Sequence, residues 1–224
     1  MFPKIIGHRG ICIASSSCIE NTTQAVKEAL KRGAWGVEID VQKTADNEIV
    51  AFHDYDMHRL TGQSGCIRDY TFAQLSDRFQ INSLNEIMCV AKSLNMFVNI
   101  EIKCNTPKTP EMVLYNVTKF WGSYLNSILF SSFDHDCLSY LSYMSKISNG
   151  TIKYAPIDFV DQLSLSTQVN RLSSAFVYHI DKPFLVSNVP VIIYGVRNRD
   201  QYNILMSKGV TSVITDDPGI VSHQ

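Results

Sequence analysis

Four short clusters of ionisable residues punctuate the chain. His8-Arg9-Gly10 follows the first apolar run, and Glu38-Ile39-Asp40 lies inside the second. His53-Asp54 comes soon after, and Glu101-Ile102-Lys103 closes the next apolar run. Residues two apart in a strand face the same side. Glu38 and Asp40 are therefore aimed together, as are Glu101 and Lys103. Three carboxylates brought to one place repel one another unless something positive sits among them. A divalent cation held by oxygen ligands is the simplest occupant.

The elements that must position these groups follow from the hydrophobic pattern. Short runs rich in β-branched residues predict strands over residues 4–8, 36–41, 96–102, 127–130, 151–155, 175–179, 189–194 and 211–214. Amphipathic stretches predict helices over 22–32, 83–94, 111–124, 135–145, 158–171, 183–186 and 199–207. Asn21 or Thr22 caps the first helix and Gly33 ends it. Ser83 and Glu86 form a capping box for the second, and Pro110 presets the third. Strands alternating with helices predict a parallel sheet. A count of eight favours one closed (β/α)₈ barrel, the TIM barrel, spanning residues 1–224, although ~250 residues is more typical. An open doubly wound sheet would carry a Gly-rich phosphate loop after its first strand. Gly7 and Gly10 lack the third glycine of such a loop.

One segment breaks the alternation. Thr44-Ala45-Asp46-Asn47 carries turn chemistry, and residues 48–53 read as a second strand that returns His53 to the barrel mouth. Residues 54–82 then form a long excursion with little periodicity, expected as a lid over the mouth. The aromatic residues around it, Phe52, Tyr55, Tyr70, Phe72 and Phe79, offer material for an apolar groove.

Composition narrows the function. The chain has 224 residues, 45% of them hydrophobic and 18% charged, with a formal net charge of −1. Such a balance disfavours nucleic acid as a partner. No apolar run approaches the ~20 residues of a transmembrane span. A strand beginning at Lys4 leaves no room upstream for a signal peptide. The six cysteines form no Cys-x-x-Cys pair and read as reduced thiols, which suits a cytoplasmic location. Cys89 sits in a helical pattern as a small hydrophobe. Cys12 and Cys18 share a loop and could bridge only under oxidising conditions. The acceptor patterns at Asn21, Asn116 and Asn149 carry meaning only on a secretory route, and a glycan on Asn21 would crowd the site.

Barrel active sites lie at the C-terminal ends of the strands. His8, Asp40, Glu101 and Lys103 all fall at such ends. A barrel interior is otherwise filled by branched apolar side chains, so these inward charges need partners or a metal. The alternative is a structural ion-pair network.

The ordered series His8-Arg9-Gly10, Glu20-Asn21-Thr22, Glu38-x-Asp40-x-x-x-Thr44-x-Asp46, His53-Asp54, Arg59-x-Thr61-Gly62, Glu101-x-Lys103, Ser132-Phe133 and Thr215-Asp216-Asp217-Pro218-Gly219 resembles the glycerophosphodiester phosphodiesterases. The resemblance covers nearly the whole chain. It implies a metal-dependent (β/α)₈ enzyme that cuts glycerophosphodiesters into glycerol 3-phosphate and an alcohol. On that resemblance Glu38, Asp40 and Glu101 hold one Mg²⁺ or Ca²⁺, and Glu20 joins them directly or through water. His8 and His53 are the general acid and base, in an order left open. Arg9 and Lys103 bind the phosphate, and Tyr194 stacks on the glycerol or head group. Other polar residues read as ordinary: His58 and Arg59 as solvated, His135 as structural, Asp54 and Asp69 as loop organisers, Asp216 and Asp217 as caps of a final turn. His179 is a weaker candidate for substrate contact.

The chain departs from the family pattern at three places. Ile19 replaces a proline, Asn47 replaces a turn glycine, and Tyr194-Gly195-Val196-Arg197 replaces a tryptophan-containing stretch, which leaves the released alcohol open. Two other functions compete. One is a lysophospholipase D-like cleavage of lysophospholipids, which needs an apolar groove at the mouth. The other is an inactive barrel kept as a binding module. The sequence leaves the oligomeric state undetermined.

Overall fold

A computed structural model describes residues 4–13, 18–158, 174–181 and 189–221. In chain order the regular elements are β1 (Lys4–Gly7), α1 (Thr23–Lys31), β2 (Gly36–Lys43), β3 (Ile49–Ala51), α2 (His58–Thr61), α3 (Phe72–Phe79), α4 (Leu84–Ser93), β4 (Phe97–Ile102) and α5 (Thr109–Trp121). They continue with β5 (Ile128–Ser132), α6 (His135–Ile147), β6 (Tyr154–Pro156), β7 (Phe176–His179), β8 (Val191–Tyr194), α7 (Arg199–Ser207) and β9 (Ser212–Thr215). Eight strands run parallel in the order β6-β5-β4-β2-β1-β9-β8-β7, and β3 pairs antiparallel with β2. Between β6 and β7 the sheet is closed by a parallel bridge, Ile157 to Val177. There the Ser174 N–H donates to the Tyr154 carbonyl and the Asp158 N–H to that of Val177, both at 2.8 Å. The expected (β/α)₈ barrel is the observed one.

Strand parity sorts the chemistry. Val37, Ile39 and Val41 of β2 pack outward with Val98, Ile100 and Ile102 of β4 into the layer formed with α1, α4, α5 and α6. The alternate residues, Glu38, Asp40, Asn99 and Glu101, therefore face the barrel interior. Below them the interior is apolar, built from Ile6, Leu129, Ala155, Val177, Ile192 and Ile214. Parallel pairing sets Glu38 beside Asn99 and Asp40 beside Glu101. A one-residue slip would turn all these carboxylates into the outer apolar layer, so burial enforces the register.

Local chemistry fixes the element ends. Thr22 caps α1 by accepting from the Ala25 N–H at 3.2 Å, and Ser83 with Glu86 closes a capping box on α4. Asn47 adopts φ 66°, the left-handed turn geometry it shares with glycine. Strand β6 is shorter than expected and begins at Tyr154, because Asn149 and Gly150 take positive φ and spend the preceding residues on a turn. The helix expected over residues 158–171 falls, beyond Asp158, outside the described residues, as does the short one over 183–186. All six cysteines are free thiols, and Cys89 is exposed rather than packed. No helix among the described residues is long and apolar enough to cross a membrane.

Residues 54–82 are more ordered than their sequence suggested. They hold α2, a 3₁₀ turn at Ile67–Asp69 and α3, whose capping box joins Thr71 and Gln74. Val50, Phe52, Met57, Ile67, Leu75 and Ile81 form a small core of their own, with Tyr70, Phe72 and Phe79 packed against it. The missing helical period has a physical cause: three short elements share one centre, so none needs a long apolar stripe. Of the aromatic residues expected to build a groove, only Tyr55 is strongly exposed. A packed insertion predicts that Leu75→Ala, at a fully buried position, lowers stability by about 3 kcal/mol in urea unfolding. A loss below about 1 kcal/mol would show that the segment behaves as a loose flap.

Candidate active site

The site sits where β1, β2 and β4 end. Beyond β1 the chain makes a tight turn, with Arg9 at φ 53° and Gly10 at φ 80°. Gly10 is required there, since a Cβ would meet the Ala25 backbone at 2.8 Å. The turn aims the Arg9 N–H at Glu38 Oε2, 2.9 Å away. Asn21 is also left-handed, at φ 58°, and buried. Its amide grips Asp40 from both sides, donating from Nδ2 to Asp40 Oδ2 at 2.9 Å and accepting from the Asp40 N–H at 3.1 Å. Two non-glycine residues with positive φ beside one another mark a place where backbone strain is kept for the site's geometry.

Glu38, Asp40 and Glu101 each offer an oxygen to a group whose atoms all lie within 4.8 Å of one another. Glu38 Oε1 is buried and has no hydrogen-bond partner. An unpartnered buried carboxylate oxygen inside an all-oxygen set fits a hard divalent cation. The Lys103 ammonium lies 3.2 Å from Asp40 Oδ1 and also contacts Glu101. Burial, then the charge of Asp40, pushes the Glu38 carboxyl well above the usual range. The same two causes raise Glu101. Burial works against the Asp40 charge too, but Lys103, His53 and Arg9 outweigh it and hold that group low.

Glu20 does not join this group. Its oxygens accept from Arg9 Nη1 at 2.7 Å and from Arg59 Nη2 at 2.6 Å, with the Cys12 thiol at 3.3 Å. Despite its burial, Arg59 and Arg9 hold its pKa down at about 2. Burial and the Glu20 charge push the Cys12 thiol up to about 11. Arg59, read from sequence as solvated, is therefore a structural tie. It also donates from Nε to Asp54 Oδ2 at 2.6 Å.

Each histidine is held through Nδ1 by a carboxylate whose sequence context points only to a cap or a loop. His8 Nδ1 is 2.6 Å from Asp216 Oδ1, and His53 Nδ1 is 2.6 Å from Asp54 Oδ1. That leaves Nε2 of each ring for other work, and His8 Nε2 lies 3.9 Å from Glu38 Oε2. Burial lowers both rings' affinity for a proton. At His8 the Asp216 bond and the Glu38 charge reverse this and raise the pKa, whereas His53 remains lowered, with Lys103 and Arg9 adding to the effect of burial. Gln42, two residues beyond Asp40 on the same face, donates to the carbonyls of Phe52 at 3.0 Å and Asp54 at 2.7 Å, fixing the loop that carries His53. Only its parity with Glu38 and Asp40 could have signalled this role.

His8, Arg9, Glu38, His53, Glu101 and Lys103 line one cavity of ≈ 250 Å³, with Phe133 and Tyr194 on its apolar side. Tyr194 donates its hydroxyl to Asp158 and meets the His179 ring edge-on at 4.9 Å. His179 itself does not line the cavity. No residue of 54–82 lines it either; the insertion reaches the site through Asp54 and Arg59, and its Tyr55 stands on the adjoining rim with Glu101, Lys103 and Phe133.

The Glu20 pairing gives a test on stability. The folded-state pKa lies below the ordinary carboxylate value, so its contribution is present above that value and fades as pH falls toward about 2. Glu20→Gln is expected to cost about 3 kcal/mol near pH 7 and clearly less near pH 3, read from urea midpoints. An equal cost at both pH values would show that the ion pair is not its source.

Comparison with known proteins identifies a family for this chain. The sequence profile of the Glycerophosphoryl diester phosphodiesterase family matches residues 8–220. The glycerophosphodiester phosphodiesterase of Caldanaerobacter subterraneus subsp. tengcongensis is 26% identical over 234 residues, covering 96% of this chain and 94% of that protein. Human glycerophosphodiester phosphodiesterase 1 is 31% identical over 140 residues, which are 56% of this chain and 41% of the human protein. Among solved structures, an Oleispira antarctica phosphodiesterase in complex with the product sn-glycerol-3-phosphate superposes with a TM-score of 0.80 at 23% identity, covering 99% of this chain and 96% of that one. A Thermotoga maritima glycerophosphodiester phosphodiesterase does so at 0.78 and 24%, covering 99% and 98%. At these identities the structural likeness speaks to the fold.

Proposed function

Since the chain belongs to the glycerophosphoryl diester phosphodiesterase family, we propose that it hydrolyses glycerophosphodiesters to glycerol 3-phosphate and an alcohol. The observation that carries the reading is the meeting of two carboxylate-held imidazoles, three clustered carboxylates and two cations around one small cavity. The Oleispira relative's complex with sn-glycerol-3-phosphate supports the product.

Glu38, Asp40 and Glu101 are the residues that would hold a divalent cation, Mg²⁺ or Ca²⁺. When bound, such an ion supplies positive charge to a phosphate oxygen. Arg9 and Lys103 bind the remaining phosphate charge, Arg9 with its planar fork and Lys103 as a point charge. Attack on phosphorus requires that one oxygen lose a proton while the leaving alcohol oxygen gains one. His8 and His53 perform these two transfers through Nε2. Asp216 and Asp54 keep the Nδ1 proton in place, as the carboxylate of a hydrolase triad does. Tyr194 and Phe133 form the apolar side of the cavity against the glycerol or the departing alcohol. Glu20 serves as the partner of Arg9 and Arg59, outside the ligand set.

The lysophospholipase D-like reading needs an apolar groove at the mouth. Phe52, Tyr70, Phe72 and Phe79 are committed to the core of the insertion, so that reading loses its main support. An inactive barrel would have lost a ligand or a histidine, and this chain keeps them all.

The direct test is release of glycerol 3-phosphate from glycerophosphodiesters of different head groups, with and without chelator. Turnover is expected to disappear on chelation and to return with Mg²⁺ or Ca²⁺. Glu38→Gln and His53→Ala should each cut kcat by roughly 10²–10⁴-fold while the fold is retained. Full activity in both variants would reject the proposal. Asp54→Asn should lower kcat on the order of 10²-fold with little change in KM, since it disturbs the tautomer and orientation of His53 and not substrate binding. A change confined to KM would assign Asp54 to binding.

A further inference from the structure

A second, larger cavity lies at the opposite end of the barrel. It measures ≈ 460 Å³ and is framed by the N-terminal ends of the strands, from Lys4 of β1 to Ser212 of β9. The volume falls within the roughly 300–1,000 Å³ of small-molecule sites. Its origin can be followed residue by residue. A barrel interior is ordinarily filled by Val, Ile and Leu. Here two of the inward positions at this end are Ala175 and Ser212, too small to fill it. Gly36 adds no side chain and has no room for one, because a Cβ would meet the Phe97 carbonyl oxygen at 2.7 Å. The apolar interior is thus left open from below, with Leu129, Ala175 and Ile192 exposed to the cavity.

The mouth is built differently. Trp35 stacks on Phe97 with ring centroids 4.7 Å apart, and the Lys4 ammonium lies 3.7 Å from the indole centre. Lys153 stands on the lining as well, its Nζ donating to the Asn126 carbonyl at 3.0 Å. Among the described residues the lining contains these two cations and no carboxylate. Neither lysine has a carboxylate partner among the described residues, in contrast to Lys103 at the other end. The described helices α1, α4, α5, α6 and α7 also end on this side, and their C-terminal dipoles oppose a doubly charged phosphate monoester more strongly than a singly charged carboxylate. Two lysines over an apolar pit match a single negative charge on an apolar tail.

We propose that this cavity binds a medium-chain fatty acid, its alkyl chain against Leu129, Ala175 and Ile192 and its carboxylate at Lys4 and Lys153. None of these residues belongs to the proposed catalytic set, so the site stands independently of the hydrolytic reading.

The probe is sodium decanoate, titrated into the full chain carrying Trp121→Phe so that Trp35 is the sole indole. A saturable change in Trp35 emission at one ligand per chain, below the micelle concentration, is expected. Filling the pit by Ala175→Leu, or separately by Ser212→Leu, should weaken binding by about 10-fold or more. The double change Lys4→Met, Lys153→Met should weaken it about 10-fold. Decyltrimethylammonium, with the same tail and the opposite charge, should bind at least about 10-fold more weakly. Urea unfolding of each variant identifies those that fold, and either filling variant suffices. Absence of saturation, equal binding of the cationic amphiphile, or indifference to the filling variants would overturn the proposal. Binding that appears only after deletion of residues 1–3 would assign the cavity to the chain's own N-terminus and equally overturn it.

Discussion

Like charge confined in a space with little water is the constraint around which this barrel is arranged. At separations of no more than 4.8 Å and an effective dielectric of ~20, each pair among Glu38, Asp40 and Glu101 repels by roughly 3 kcal/mol or more when both are ionised. Three such pairs together match the roughly 5–15 kcal/mol of net stability typical of a folded domain. The cluster therefore cannot stand alone. Lys103 and Arg9 bring positive charge to it, Asn21 clamps Asp40, and the raised pKa of Glu38 and Glu101 shows where relief is still incomplete. What remains is a cluster whose leftover repulsion the proposed cation would relieve.

The same need for fixed charge explains the insertion after β3. Arg59 joins Asp54, which orients His53, to Glu20, which pairs with Arg9. A hydrophobic cluster around Leu75 holds the segment bearing that guanidinium in place. Packing energy gathered away from the cavity thus becomes positional order at His53 and Arg9. An open flap carrying the same arginine would lose side-chain entropy at every closure.

The barrel also has two unlike ends. Inward positions at the C-terminal end carry carboxylates, imidazoles and cations. The middle carries branched apolar side chains, and the other end carries small residues below a pair of lysines. The apolar middle layer separates the two cavities and keeps the water and counter-charge of one from the other. Strand parity produces this sorting, because every second residue of each strand contributes to one interior column.

Much of this was written in the chain's own pattern. Period-two alternation in Val37–Val41 and Val98–Ile102 gave away both the strands and the inward face of Glu38, Asp40 and Glu101, since those local rules follow from backbone geometry alone. Thr22 and Ser83 announced their helices through capping, which is equally local. Asp216 could not be assigned in the same way: it meets His8 across 208 positions of sequence. Glu20 looked like a ligand until Arg59, 39 residues away, took its oxygens. The insertion's core escaped notice because its apolar residues come from three short elements, none periodic enough to be read singly. Local steric and hydrogen-bonding preferences thus sufficed for the strands, the caps and the inward carboxylates. Only closure of the sheet could decide which distant charge reaches which, because pairing energies depend on distances that sequence spacing does not set.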